Sequence, residues 1–398
     1  MLSVDEALDR LMAGIGLTDT ERVPLAQALG RAPPDASTLS EHDVPPFANS
    51  AMDGYALRAD DGTVSRRVVG ESRAGGRPAP AVEAGTAVRI MTGAPMPDGA
   101  DSVVPIEDAD ERDGVVTIAV TPRAGTHVRA AGHDVRRGDA VSLPRGLVTP
   151  SVIGLLAALG RADVEVRRRP RVAILSTGDE LRSPGASLGH GQIFDANTPA
   201  LAAAVIEAGG EPRVLARAPD DPLRIEERIR AGLEDADLLI ASGGVSVGEH
   251  DHVRSVIERL GTLDFWRIAV QPGKPLAFGR IFERPVIGLP GNPVSALVTF
   301  ELFARPMLRA MLGLAGDGRL RVRARVDEAL GKDAPRRAYL RVRVERDEGG
   351  YRAVSAGGQG SSQMLPLAFA NALLVVPEGP PATEPGATYE AILLGAVT

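Results

Sequence analysis

Two segments bring together residue types able to handle an anionic small molecule. They are Ala241-Ser-Gly-Gly-Val-Ser-Val-Gly-Glu-His-Asp251 and Gln271-Pro-Gly-Lys274-Pro-Leu-Ala-Phe-Gly279. The first follows an apolar run, Leu238 to Ile240, and precedes a helical pattern. A Gly/Ser loop at that place lets ligand atoms approach backbone N–H groups with no side chain in the way. The second sets a lysine on a turn of Pro and Gly. Lys274 and Lys332 are the two lysines in a Lys+Arg total of 45, so a compact ammonium stands out there from an arginine-rich background. A phosphorylated or oxyanionic ligand suits both segments.

Carboxylates sit close to these loops. Ser176-Thr-Gly-Asp-Glu180 and Asp220-Asp221-Pro222 each follow a strand-like run, and Asp251 closes the Gly/Ser loop. Each has a plain reading as a helix cap, Asp221 before Pro222 above all. Together, Glu180, Asp220 and Asp251 place acids at three strand-end loops, where a shared divalent cation relieves their repulsion and bridges a pyrophosphate. Leu289-Pro-Gly-Asn-Pro-Val-Ser295 reads either as a turn before a helix or as an oxyanion site built from backbone N–H groups, Asn292 and Ser295. Asn49-Ser-Ala-Met-Asp-Gly-Tyr55, Met91-Thr-Gly-Ala-Pro95 and the segment around Asp134 are turn sequences or functional loops. Ala356-Gly-Gly-Gln-Gly-Ser361 is a flexible loop or a further anion cradle.

Composition narrows the chemistry. The chain has no cysteine, which excludes disulfides, thiolate metal sites and a cysteine nucleophile. None of its six histidines shows zinc-ligand spacing. Aromatic residues are 3% of the chain and the net charge is -7, so base stacking and phosphate-backbone binding are both disfavoured and no nucleic-acid partner is expected. GxxxxGK[ST] and GxGxxG are absent. The N-terminus carries Asp5 and Glu6 in an amphipathic pattern, and the most apolar stretch, Val152 to Leu159, is too short for a bilayer. A cytoplasmic protein without a membrane partner is the expectation.

The elements that must position these residues follow from periodicity. Residues 1–30 read as helical, with Val4, Ala7, Leu8 and Leu11 on one face. Residues 31–139 read as β-rich, with Pro33-Pro34, Pro45-Pro46 and many glycines. Residues 140–167 contain a helix from Pro150 to Gly160 that is apolar nearly all round, and they join 1–30 as a helical linker region. Residues 168–315 alternate strand and helix. The strand candidates are Arg171–Leu175, Arg213–Ala216, Asp237–Ala241, Phe265–Val270, Leu276–Arg280 and Val286–Leu289. The helix candidates are Thr198–Ala208, Pro222–Glu234, His252–Leu260 and Val294–Leu312. This is the pattern of an open, mostly parallel sheet, which binds ligands outside the carboxyl ends of its strands. Residues 316–398 alternate charged and apolar positions and read as a small β domain.

Ser50-Ala-Met-Asp-Gly-Tyr-Ala56, Arg89-Ile-Met-Thr-Gly-Ala-Pro95, Ser176-Thr-Gly-Asp-Glu-Leu181, Ser242-Gly-Gly-Val-Ser-Val-Gly248, Pro272-Gly-Lys-Pro275 and Leu289-Pro-Gly-Asn-Pro-Val-Ser295 occur in that order along essentially the whole chain. Together they resemble the motifs of the molybdopterin molybdenumtransferase family, of which the C-terminal domain of gephyrin is an animal relative. The resemblance implies a multidomain, elongated α/β plus β chain, with an α/β molybdopterin-binding domain and a C-terminal β-barrel-like domain. It implies a homodimer that inserts molybdate into adenylylated molybdopterin, with Mg2+-dependent cleavage of the pyrophosphate and release of AMP. Molybdopterin adenylyltransferase and molybdoenzyme maturation factors are the further partners it suggests.

Residue by residue, the resemblance places Asp53, Thr92 and Asp134 across a subunit interface, and Glu180, Asp220 and Asp251 at the pyrophosphate and cation. It gives Ser242, Gly243, Gly244, Ser246, Pro290, Gly291, Asn292 and Pro293 to the substrate. Gln271, Lys274, Ser295, Arg341 and Ser361 fall to molybdate. Arg267 and Gln271 stand where members commonly carry lysine, and Gln271 lacks the charge. With no cysteine available, the substrate's own soft dithiolene must take the metal. The protein's part is to hold a tetrahedral dianion with Lys, Arg and Ser donors.

Overall fold

A computed structural model describes residues 1–34, 37–244, 252–333 and 335–397. The chain folds into two units, Met1–Glu21 with Val166–Thr398, and Arg22–Glu165.

In the first unit a six-stranded sheet runs in the order Glu211–Val214, Arg171–Ser176, Leu238–Ser242, Arg284–Leu289, Pro275–Ile281, Gly261–Arg267. The first four strands are parallel, and Pro275–Ile281 runs antiparallel to both of its neighbours. Strands 171–176, 238–242 and 284–289 are buried over nearly every residue, as a sheet covered on both faces requires. Helices Asn197–Glu207, Pro222–Leu233 and His252–Leu260 connect the strands. Asp221 caps the second: its Oδ1 accepts the N–H groups of Leu223 (2.8 Å) and Arg224 (3.0 Å). That is the plain reading of Asp221, and it leaves Asp220 uncommitted to the helix.

Three expectations shift. The helical span expected over residues 1–30 is a helix only at Val4–Met12. Gly14 at φ +75° and Pro24 break the pattern, and Thr20–Pro24 is a strand. Its apolar face is as expected, with Val4, Ala7 and Leu11 buried. The strand expected at Phe265–Val270 ends at Arg267, and Val270–Gln271 leaves to pair with Arg337–Ala338. The helix expected at Val294–Leu312 is interrupted by a π-helical turn at Phe300–Ala304. Pro306 has no N–H to give to the preceding turn, and Arg305 N–H reaches back to the Phe300 carbonyl instead.

Residues beyond 320 close into a five-stranded barrel: Arg337–Asp347, Gly350–Ser355, Arg321–Val326, Thr388–Leu393 and Ala372–Val376, the last pairing again with the first. Ala324, Val326, Leu340, Val342, Leu374 and Ala391 fill it. The alternation of arginine and apolar residues in 321–326 is its inside-outside pattern.

The second unit holds a six-stranded sheet in the order Ser102–Pro105, Gly54–Leu57, Thr86–Ile90, Ser65–Ser72, Val115–Ile118, Ala109–Arg112. One face packs Tyr55, Leu57, Val104, Val116 and Ile118. The helix Pro150–Ala158 buries Val152 and Leu156, while Gly154, Ala157 and Ala158 are exposed. Among the described residues no helix is long and apolar enough to cross a membrane.

Candidate functional site

Parallel register sets the site. Ser176 lies opposite Ser242, and Ser242 opposite Leu289, so three strands end level with one another. The loops that follow line one cleft of about 870 Å3. The ladder continues one step past the ends, through Thr177 N–H to the Ser242 carbonyl (3.2 Å) and Gly243 N–H to the Leu289 carbonyl (3.3 Å). Gly243 has φ +88°, and a Cβ there would stand 2.9 Å from the Thr177 carbonyl oxygen. Only glycine lets the two loops lie this close.

Of the residues singled out in the sequence, Glu180, Asp220, Ser242, Gly243, Gly244, Gln271, Lys274, Pro290, Gly291, Asn292, Pro293, Ser295 and Ser361 all line the cleft. Glu180 and Lys274 therefore open onto a shared cavity. Ser246 and Asp251 lie outside the described residues. Among the described residues no three His, Asp or Glu side chains stand close enough to hold a metal ion. The expected cation set includes Asp251, so Glu180 and Asp220 are the two members present in the cleft.

Arg341 does not line the cleft. Its side chain is 1% exposed, and its Nη2 donates to the carbonyls of Gly358 (3.0 Å) and Gly360 (3.1 Å). Its main-chain N–H donates to Gln359 Oε1, and its Nε has no partner among the described residues. Burial pushes this guanidinium down to about 10, which leaves it charged at neutral pH. The segment it holds, Gly357 to Ser361, brings Gln359 and Ser361 to the cleft wall. Asn292 Nδ2 donates to Ser361 Oγ (2.9 Å), and Val294 N–H to the Ser361 carbonyl (3.1 Å). The segment 356–361 is thus a bonded part of the cleft and not a free loop.

Several cleft residues were not singled out in the sequence, among them Asp195, Asn197, Phe194 and Arg336. Asp195 accepts from Ser176 Oγ (2.9 Å), Thr198 Oγ1 (2.6 Å) and Thr198 N–H (3.0 Å). Asn197 Nδ2 donates to Ser242 Oγ (2.7 Å) and to the Gly291 carbonyl (2.8 Å). A carbonyl accepts only, so the Asn197 amide orientation is set and its Oδ1, buried, has no partner among the described residues. These two side chains stitch the second, third and fourth strand ends together. Phe194 is the aromatic residue among the described lining residues and is 45% exposed. Arg336 is a second cation of the lining, beside Lys274. The segment Asp195-Ala-Asn197 opens a helix, so its polar residues read as capping; nothing local marked it as a staple between strands far apart in sequence.

In the second unit, Asp53 Oδ1 accepts both the N–H (2.6 Å) and the hydroxyl (2.7 Å) of Thr92. The Thr92 hydroxyl, then its N–H, hold the Asp53 carboxyl below the usual carboxylate range. The loops carrying them are laced by Ser50 N–H to the Ala94 carbonyl and Gly93 N–H to the Ser50 carbonyl. Gly54 starts a strand, contrary to a simple Asp-Gly turn: a Cβ there would meet the Val104 carbonyl oxygen at 2.0 Å. Asp134 is exposed, on a separate turn whose N–H donates to the Val44 carbonyl (2.9 Å).

Level strand ends with a Gly-rich rim, an acidic side and a lysine turn thus stand around one cleft. Three family models match the chain: MoeA N-terminal region (domain I and II) over residues 2–160, probable molybdopterin binding domain over 173–310, and MoeA C-terminal region (domain IV) over 323–394. Molybdopterin molybdenumtransferase 2 of Mycobacterium tuberculosis is 40% identical over 89% of this chain and 90% of its own length. The Nostoc molybdopterin molybdenumtransferase is 40% identical over 91% of this chain and 86% of its own. The crystal structure of a molybdopterin biosynthesis MoeA protein from Pyrococcus horikoshii matches with a TM-score of 0.81 at 27% identity, over 99% of this chain and 100% of that one. The chain belongs to the molybdopterin molybdenumtransferase family.

Proposed function

We propose that this enzyme inserts molybdate into adenylylated molybdopterin, cleaves the pyrophosphate and releases AMP. The observation that carries the reading is the single cleft shared by Lys274 on one segment and Glu180 and Asp220 on others. A pyrophosphate suits the Gly-rich rim, where Gly243 and Gly244 have positive φ and no side chain to block the backbone. A tetraoxo dianion suits Lys274, Ser295 and Ser361, which offer one ammonium and two hydroxyls.

Glu180 and Asp220 are oxygen donors of the type Mg2+ takes, and with Asp251 they would hold it. The ion would supply charge neutralisation at the anhydride. The chain's own residues do the rest. The Asn197 and Asp195 bonds hold the three loops in fixed relation, so the anhydride meets a preformed rim. Lys274 carries the positive charge that draws the oxyanion. Binding of the metal to sulfur falls to the substrate's dithiolene, since the chain has no cysteine. In this reading the active form is a homodimer, in which Asp53, Thr92 and Asp134 complete the cleft of the other subunit.

The test is AMP release from purified adenylylated molybdopterin, with Mg2+, with and without molybdate. Release that depends on molybdate, and that falls in Lys274→Ala and Glu180→Ala, is expected. Absence of AMP release under these conditions overturns the proposal.

A further inference from the structure

Two cations line the cleft among the described residues, Lys274 and Arg336. Two other candidates for the oxyanion, Arg341 and Gln271, are engaged elsewhere. Arg341 is buried behind the 357–361 segment and bonds to its carbonyls. Gln271 reaches the cleft, but its Oε1 accepts the Asp333 N–H at 2.7 Å. Asp333 opens the turn that carries Arg336, and Arg336 N–H donates to the Asp333 carbonyl (3.2 Å). Lys332 Nζ donates to the carbonyls of Asp333 (3.3 Å) and Arg336 (2.7 Å). Arg336 Nη1 reaches the Val270 carbonyl (3.3 Å). Gln271 and Lys332 thus fasten the main chain of one turn, and the Val270 carbonyl holds one arm of its guanidinium, which belongs to a residue lining the cleft.

That guanidinium has a carboxylate partner, Asp333, which lines the cleft too. The two are unequal in exposure: the Arg336 side chain is 20% exposed and Asp333 58%. Burial pushes Arg336 below its ordinary value, the sign of a cation with more desolvation than compensation. An exposed carboxylate gives up little on returning to water, whereas a half-buried guanidinium needs an anion.

We propose that Arg336 is the second cationic contact of the tetrahedral oxyanion, and that Asp333 is the internal anion it exchanges for that ligand. Gln271 and Lys332 are positioning residues for this turn. The inference rests on the oxyanion-binding reading of the cleft. It makes the two members of one ion pair act in opposite directions: Arg336 attracts the dianion, and Asp333 repels it and competes for the same donors.

The experiment is calorimetric titration of the full chain with molybdate and with tungstate, alongside circular dichroism to verify folding. Arg336→Gln is expected to weaken binding about 10- to 100-fold, the range of a lost charge-assisted contact. Arg336→Lys, which keeps the charge without the planar fork, is expected to lose less. Asp333→Asn is expected to bind several-fold more tightly than the unmodified chain. A merely structural ion pair predicts that both substitutions act in the same direction. Folded Arg336→Gln with undiminished affinity, or Asp333→Asn weakened as Arg336→Gln is, overturns the proposal while leaving the oxyanion site in place. If the unmodified chain takes up neither oxyanion, the oxyanion reading of the cleft falls first and this proposal with it.

Discussion

Gly273, one residue before Lys274, offers a test of how tightly the cleft is built. Its φ is +113°, and a Cβ there would stand 2.4 Å from Thr299 Cγ2. Carbon atoms prefer about 3.5–4.0 Å, so one side must move. Thr299 is fully buried, and its hydroxyl donates to the carbonyls of Ser295 (2.7 Å) and Ala296 (3.2 Å), so its methyl cannot swing away without breaking them. Gly273→Ala therefore carries two costs: about 1–2 kcal/mol for the backbone conformation, and about 1–3 kcal/mol for overpacking. Thr299→Ser keeps the hydroxyl and removes the offending methyl, at about 1 kcal/mol alone. In the double variant the overpacking is relieved and the new methyl occupies the space, so the pair is less destabilised than the sum by about 1–3 kcal/mol. Urea denaturation of the four proteins, followed by circular dichroism, measures the coupling. Costs that add to within about 0.5 kcal/mol would refute the contact as the reason for glycine at this position.

The remaining predictions concern ligand, pH and stitching. Phe194→Ala is expected to weaken AMP binding about 5- to 100-fold, the value of one stacked base, and to leave ribose 5-phosphate binding unchanged; equal loss for both ligands rejects Phe194 as a ring platform. Asp53 titrates low in the folded chain, so the stability it adds is present above its unfolded value and is lost as pH falls through the folded one. Thr92→Val removes the larger cause, and NMR of the Asp53 carboxyl should show titration at higher pH; an unmoved titration rejects the pair. Asn197→Ala deletes two hydrogen bonds of about 1 kcal/mol each and strands the Gly291 carbonyl. It should lower stability by about 1–3 kcal/mol, read by the same denaturation, and no change would show that the loops need no staple.

What could be read in the sequence follows the range of the forces involved. The parallel strands at 171–176, 238–242 and 284–289 are short apolar runs bounded by Gly and Pro, and they lie within one or two residues of expectation. Local signals also gave the helix start at Asp221-Pro222 and the two-residue period of the barrel strand 321–326. The misplaced elements are those whose state is decided at long range. Val270–Gln271 continues a β-like run by composition, yet it pairs with Arg337–Ala338, nearly seventy residues on. The same long reach explains the site residues that were missed. Arg336 enters the cleft on a turn fastened locally by Lys332 and from a distant segment by Gln271, and no spacing rule links Gln271 to that turn.

The departure at Gln271 then has a physical account. A glutamine offers a neutral acceptor, and here that acceptor takes a main-chain N–H of the Arg336 turn. A lysine has no acceptor, so Gln271→Lys could not make this bond and would set a third positive group beside Lys274 and Arg336. Two effects of opposite sign follow for oxyanion binding: added charge attracts the ligand, and a loosened turn releases Arg336. A charge-assisted contact is worth more than a partly exposed charge at a distance. The loosening should therefore win at high ionic strength and the attraction at low. Molybdate titrations of Gln271→Lys at two salt concentrations separate them. Affinity that exceeds the unmodified chain at both salts would show that the Gln271–Asp333 bond has no part in presenting Arg336.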